Sequence, residues 1–277
     1  MNAIIKKLGK RKILFLFTSL VMFFTLNYLT VGSINDMITH TLLVFVLLSI
    51  YLVYLLLSSN LKDSSILNQI NGLLYLYLFV YNKNDMLSKG GILKVGGWAM
   101  SPDLLTYMAD LIRKKEKIQI LEMSSGTSSI VIGMILKERG YGKVTSLEND
   151  IKIAEDNKNL VLEYGLEEFV NIVYAPLVDY RINNQAYTWY SLSELQDLSC
   201  FDLVIVDGPY GKNIQMARYP AIPLLYQLLS PNCHVLLDDT HRSDEQKMIK
   251  LWTSDFNLKL IENLEFEKGA CLLQKKK

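Results

Sequence analysis

Two apolar runs lie near the start of the chain, 13–31 without charge and 38–57 uncharged apart from His40 when protonated. Beyond residue 90 the pattern changes to short apolar runs alternating with amphipathic stretches. About 19 apolar residues, rising about 1.5 Å each, cross a hydrocarbon core of about 30 Å. Both runs are therefore predicted as transmembrane helices of an anchor covering 1–60. Lys6, Lys7, Lys10, Arg11 and Lys12 precede the first run, and the loop 32–37 carries only Asp36. The positive-inside rule puts the basic flank and everything after the second span in the cytoplasm. A cleaved signal peptide is the alternative for the first run. The run's length, the missing small-residue cleavage site and the second span disfavour it. Over 61–82, Ile66, Ile70, Leu73 and Leu74 recur at helical spacing. This predicts a juxtamembrane helix that links the anchor to the main domain or pairs with a second copy. A polar, glycine-ended stretch closes the linker region 61–90 and leaves 91–277 as the main domain.

In that domain, apolar runs predict strands at 119–121, 143–147, 170–174, 203–206 and 234–237. Helical periodicity lies between them at 129–139, 151–164, 221–229 and 243–256. Ser101-Pro102-Asp103 reads as the capped start of an earlier helix, with serine on the free N–H groups and proline in the first turn. Two further strands, 258–264 and 270–274, lie around Lys268-Gly269. Alternating strands and helices imply an α/β fold with a doubly wound, mostly parallel sheet.

Half of the chain is hydrophobic, and the excess sits in the first 80 residues, so it marks the anchor and not the whole protein. A net charge of +1 without a basic stripe argues against a nucleic-acid partner. Cys200, Cys233 and Cys271 are dispersed and odd in number, which fits a reducing compartment better than a disulfide framework.

Candidate chemistry clusters at strand ends. Ile-Leu-Glu-Met-Ser-Ser-Gly-Thr-Ser-Ser (120–129) runs from a strand through a small-residue turn into a helix. Ser-Leu-Glu-Asn-Asp (146–150) and Phe-Asp-Leu-Val-Ile-Val-Asp-Gly-Pro (201–209) are further apolar runs that end in acidic residues. A nucleoside-containing cofactor needs this layout at the carboxyl ends of parallel strands. Gly126 permits close backbone approach, and the helix beginning near Ser128 offers N–H groups to a carboxylate. Glu148 is placed to accept hydrogen bonds from a ribose diol. The dinucleotide fingerprint G-x-G-x-x-G is absent: its positions read Ser124, Gly126 and Ser129, which disfavours a dehydrogenase.

From about Gly96 to the C-terminus the chain resembles the class I S-adenosylmethionine (SAM)-dependent methyltransferases. That resemblance implies a sheet ending in an antiparallel strand, SAM as cofactor, and Glu122 beside the methionine amine. It implies Ser124, Gly126, Ser128, Glu148 and Asp207 as further cofactor-site residues, with Ser124 standing where the family usually has glycine. Asp207 after the fourth predicted strand and Asp238-Asp239 after the fifth are similar to the cation ligands of metal-dependent O-methyltransferases of the catechol and caffeoyl-CoA type. This implies a divalent cation such as Mg²⁺ on Asp207, Asp238 and Asp239. Those families carry Asp-Asn where this chain has Asp-Asp, and a lysine where it has Tyr210, with Lys212 two residues on. Without a metal, His241 is the general-base candidate, because its reference pKa lies near neutrality. Asp239 and His241 have plainer readings as a helix cap and a surface residue of one loop.

Trp98 reads as a core anchor or a pocket wall. Tyr187, Trp189 and Tyr190 fall in an irregular stretch, as packing or as a stacking surface for an acceptor. The expectation is a membrane-associated methyltransferase with a cytoplasmic active site containing Asp207 and His241, acting on a hydroxyl of an unknown acceptor. A degenerate member of the fold acting as a membrane scaffold is the alternative.

Overall fold

The computed structural model describes residues 69, 71–74, 99–115, 118–195, 200–210 and 214–276. The spans predicted at 13–31 and 38–57, and Trp98 and Lys212, lie outside the described residues. No helix among the described residues is long and apolar enough to cross a membrane. Residues 69 and 71–74 are helical. Gly72 is the inward position there, since a Cβ on it would collide with the backbone of Pro102, whereas Leu73 is exposed.

The first full helix, α1 (Pro102–Arg113), starts at Ser101. The expected serine cap is not made: Ser101 donates to Asp103, whose carboxylate accepts from the Leu104 N–H at 2.8 Å and the Glu267 N–H at 3.1 Å. The buried aspartate thus does the capping and ties α1 to the C-terminal hairpin. Next in the chain come β1 (Gln119–Met123), α2 (Thr127–Arg139), β2 (Lys143–Glu148), α3 (Ile151–Glu163) and β3 (Val170–Tyr174). β4 (Leu177–Ile182), β5 (Gln185–Tyr190), β6 (Phe201–Val206), α4 (Ala221–Leu225), β7 (Leu229–Asp238), α5 (Ser243–Asp255), β8 (Leu258–Leu264) and β9 (Ala270–Lys275) complete the order.

The main sheet runs β3-β2-β1-β6-β7-β9-β8, parallel from β3 to β7, with β9 antiparallel to both neighbours. This is the expected doubly wound sheet with its antiparallel C-terminal strand. Its strands alternate between two cores. Ile120, Leu203 and Ile205 face the core with α1, α2 and α3, while Leu121, Met123, Val204 and Val206 face the one with Trp189, Ile222 and Trp252. Burial on both faces explains why the central strands read as unbroken apolar runs.

Two boundaries differ from expectation. The helix expected over 221–229 stops at Leu225 and passes through a 3₁₀ turn, and β7 already begins at Leu229. Pairing shifts between Phe201 and Leu203 of β6, where β7 bulges at Pro231, which cannot donate, and Asn232, at φ 65°. The stretch read as irregular before β6 is a β4–β5 hairpin, turned by Asn183 and Asn184 at φ 50° and 64°. Asparagine tolerates this left-handed pair, which matches the twist of a two-residue hairpin.

Candidate cofactor and acceptor site

Strand order reverses direction between β1 and β6, and a crevice at such a switch point is where α/β sheets bind ligands. Ser124 leaves β1 in the left-handed region, at φ 75°, and its N–H still bonds Leu147 O at 2.9 Å. Glycine adopts this conformation freely, whereas serine pays about 1–2 kcal/mol, so Ser124 serves here as a turn residue. Gly208, after β6, packs close by: a Cβ on it would clash with the Tyr190 hydroxyl and lie 2.9 Å from Ser124 Cβ. Glycine at 208 therefore lets the ends of β1, β5 and β6 converge.

Glu122 is fully buried. Its Oε2 accepts from the hydroxyls of Ser129 at 2.5 Å and Ser146 at 2.6 Å, while Oε1 has no hydrogen-bond partner among the described residues. Burial raises its pKa, opposed by the hydroxyls of Ser128, Ser129 and Ser146. Glu148 is also buried. Its Oε2 accepts from the Ser125 N–H at 3.1 Å and hydroxyl at 3.2 Å, and its Oε1 from the Asp150 N–H at 3.0 Å. Asp150 in turn caps α3 through the N–H groups of Lys152 and Ile153. With two acceptor positions per oxygen, Glu148 keeps one open on Oε1. It organises the loops after β1 and β2.

Gly126 precedes α2 with extended backbone, and a Cβ there would meet no atom of the described residues within 4 Å. A buried carboxylate oxygen without a donor, a glycine facing open space and the start of a long helix suit the zwitterionic methionine end of SAM. Glu122 would hold the amine, the first turn of α2 the carboxylate, and Glu148 the ribose.

The second cluster brings together Asp207, Asp238 and Asp239, with carboxylate oxygens within 4.8 Å of one another. The sequence did not reveal what lies among them. Arg218 Nη2 is 3.3 Å from Asp207 Oδ1 and 2.7 Å from Asp239 Oδ2. Its Nη1 donates to Asp238 O at 3.2 Å and lies 3.8 Å from Glu245 Oε1. Arg242 Nη1 is 3.0 Å from the same Asp239 Oδ2. Burial and the Asp238 charge push Asp207 well above the usual carboxylate range, against the pull of Arg218. Burial and Asp239 push Asp238 up to about 6. Asp239 is not the cap of α5, whose N-cap position is Arg242. By donor chemistry the three carboxylates suit a hard cation. However, a guanidinium already bonds two of them, so the site does not fit Mg²⁺ as a resident ion.

His241 lies on the surface, with its ring against Gly269 and Nε2 3.9 Å from Glu265 Oε2. Among the described contacts no hydrogen bond or ion pair joins it to Asp207. Trp189 is core, as its packing reading expected, while Tyr187 stacks on Tyr219 with ring centroids 5.1 Å apart. Tyr190 is the residue the sequence undervalued. Its ring is buried and its hydroxyl has no hydrogen-bond partner among the described residues. Burial, then Glu148, raises its pKa well above the ordinary value, with Asp207 and Glu122 adding and Arg218 opposing. The hydroxyl therefore stays protonated, a donor between the two acidic clusters. Tyr190 stands next to Trp189 at the end of the overlooked hairpin; recognising the Asn183-Asn184 turn would have placed it in a strand.

No protein-family model and no curated protein matches the chain. Solved structures do. A Bacillus cereus O-methyltransferase in complex with SAH shares 14% identity at a TM-score of 0.51, over 79% of this chain and 95% of that one. A SAH-bound Podospora anserina methyltransferase shares 16% at 0.50, over 83% and 96%. A cofactor-bound protein from MTB shares 17% at 0.53, over 75% and 96%. At these identities the likeness shows the fold, which is the Rossmann-like fold of class I SAM-dependent methyltransferases.

Proposed function

We propose that the chain is a SAM-dependent methyltransferase acting on a hydroxyl oxygen of a membrane-associated or small-molecule acceptor. The observation that carries this reading is the Oε1 of buried Glu122, which has no hydrogen-bond partner among the described residues, together with the open face of Gly126. SAM supplies an electrophilic methyl on a sulfonium. The side chains hold the reactants in line and exclude water, which is where most of the rate of such a displacement is gained. Asp207 is the most exposed member of its cluster, with a side chain 18% accessible against 6% for Asp239. In this reading it accepts a hydrogen bond from the acceptor hydroxyl. His241 takes no part in this arrangement. Asp207→Asn is expected to lower turnover by about 10²–10⁴-fold, the usual weight of a group acting on the reacting proton, with SAM affinity changed less than threefold. His241→Ala is expected to keep turnover within about threefold. Single-turnover kinetics with radiolabelled SAM separates the two; an unimpaired Asp207→Asn would remove that residue from the mechanism.

Glu122 makes the binding pH-dependent. Its folded pKa is raised, so the empty fold holds a proton that the unfolded chain releases earlier. Glu122 therefore contributes a stability that falls as pH rises from the ordinary carboxylate range through the raised value. An ammonium group beside it favours the ionised form. SAM affinity should then rise with pH across the same window, with up to one proton released per SAM. Calorimetry in buffers of differing ionisation heat reads this release. It should shrink in Glu122→Gln; equal release in both chains would contradict the assignment.

The runs 13–31 and 38–57 serve, in this reading, as a bilayer anchor with the site in the cytoplasm, supported by the basic flank before residue 13. A reporter fused after Lys277 should be active only in the cytoplasm, and periplasmic or lumenal activity would reverse the topology.

A further inference from the structure

We propose that the Arg218 guanidinium is the resident cation of the Asp207–Asp238–Asp239 cluster, so that this site works without a divalent metal. The inference rests on the methyltransferase reading of the crevice. Arg218 is buried, with 5% of its side chain accessible, and enters between the ends of β6 and β7 and the first turn of α5. Its two terminal nitrogens contact Asp207, Asp239, the Asp238 carbonyl and Glu245. Arg242 approaches Asp239 from the solvent side. Asp239 Oδ2 thus faces guanidinium nitrogens at 2.7 and 3.0 Å, which occupy both of its acceptor positions.

A magnesium-type ion needs near-octahedral oxygens at about 2.0–2.1 Å. Placed on these carboxylates, it would lie next to a guanidinium that shares them. That guanidinium cannot relieve the repulsion by losing its proton, because arginine stays charged in proteins. Asp239 is the carboxylate that Arg218 and Arg242 both hold. The consequence is chemical: a guanidinium donates directed hydrogen bonds but offers no open coordination position to an acceptor oxygen. Arg218 is thus a positioning residue that fixes Asp207 and Asp239 at the crevice.

The full chain in detergent micelles, with and without SAM, is titrated with Mn²⁺ and followed by electron paramagnetic resonance. Wild type is expected to show no site tighter than about 1 mM, or only sites unchanged in Asp238→Asn. Arg218→Met, which frees the carboxylates at similar volume, should gain at least tenfold in Mn²⁺ affinity, and Asp238→Asn added to it should remove the gain. If Arg218→Met does not fold, the wild-type titration still decides. One Mn²⁺ per wild-type chain at micromolar affinity, lost in Asp238→Asn, would overturn the proposal. A parallel SAM titration reads the methyltransferase assignment separately: absent SAM binding sinks that assignment and leaves the Mn²⁺ result standing.

Discussion

Glu148→Ala should weaken SAM binding by roughly tenfold to more than a hundredfold, the effect of one lost hydrogen bond to a charged group, worth about 1.5–3 kcal/mol. The substitution also strips the acceptor from the N–H groups of Ser125 and Asp150. The turn after β1 and the start of α3 therefore loosen together, and the loss should exceed what a single ribose contact explains. Glu148→Gln retains one acceptor oxygen and should fall between wild type and Glu148→Ala. Calorimetric SAM titrations of the three chains test the order; superimposable curves would remove Glu148 from the cofactor site.

The largest loss of stability is expected in Arg218→Ala. Removing one partner of a buried ion pair leaves an uncompensated charge, at about 3–5 kcal/mol. Arg218 serves Asp207, Asp239 and Glu245 at once. For a domain of this size each kcal/mol moves the melting temperature by about 2–4 °C, so a fall on the order of 10 °C is expected. A variant that melts within about 2 °C of wild type would mean that water or Arg242 compensates the cluster.

The sheet was legible because its strands are buried on both faces. Ile120-Leu121 and Leu203 to Val206 are uninterrupted apolar runs that stop at Glu122 and Asp207, and those ends mark both the strand and the crevice. Glu122, Glu148 and Asp207 could be named for the same reason: each sits where a run stops. Half-buried structure left a weaker trace. β4 and β5 mix exposed Val178 with buried Trp189 and Tyr190, and the Asn183-Asn184 turn lacks the glycine that usually marks a hairpin. The early start of β7 at Leu229 goes with its pairing to Phe201 of β6, which local periodicity does not contain.

Arg218 was illegible for a stronger reason. It stands beside Ala217 and Tyr219 in a loop without periodicity, and its carboxylate partners lie at 207, 239 and 245. Only the fold brings them into contact. Ser129 and Ser146, which hold Glu122, are likewise 7 and 24 residues from it. The sequence thus shows which acids lie at strand ends, but not which cation or hydroxyl each one meets.

The central claim is that the crevice between β1 and β6 binds SAM. Isothermal titration of the full wild-type chain with SAM, beside Gly126→Val, tests it most directly. A Cβ at 126 meets no atom of the described residues within 4 Å, and the backbone is extended, a conformation that any residue adopts, so the fold should be retained. The account predicts saturable binding of one SAM per wild-type chain, weakened at least tenfold in Gly126→Val at unchanged melting temperature. No binding to the folded wild-type chain, or equal binding by both, would contradict it.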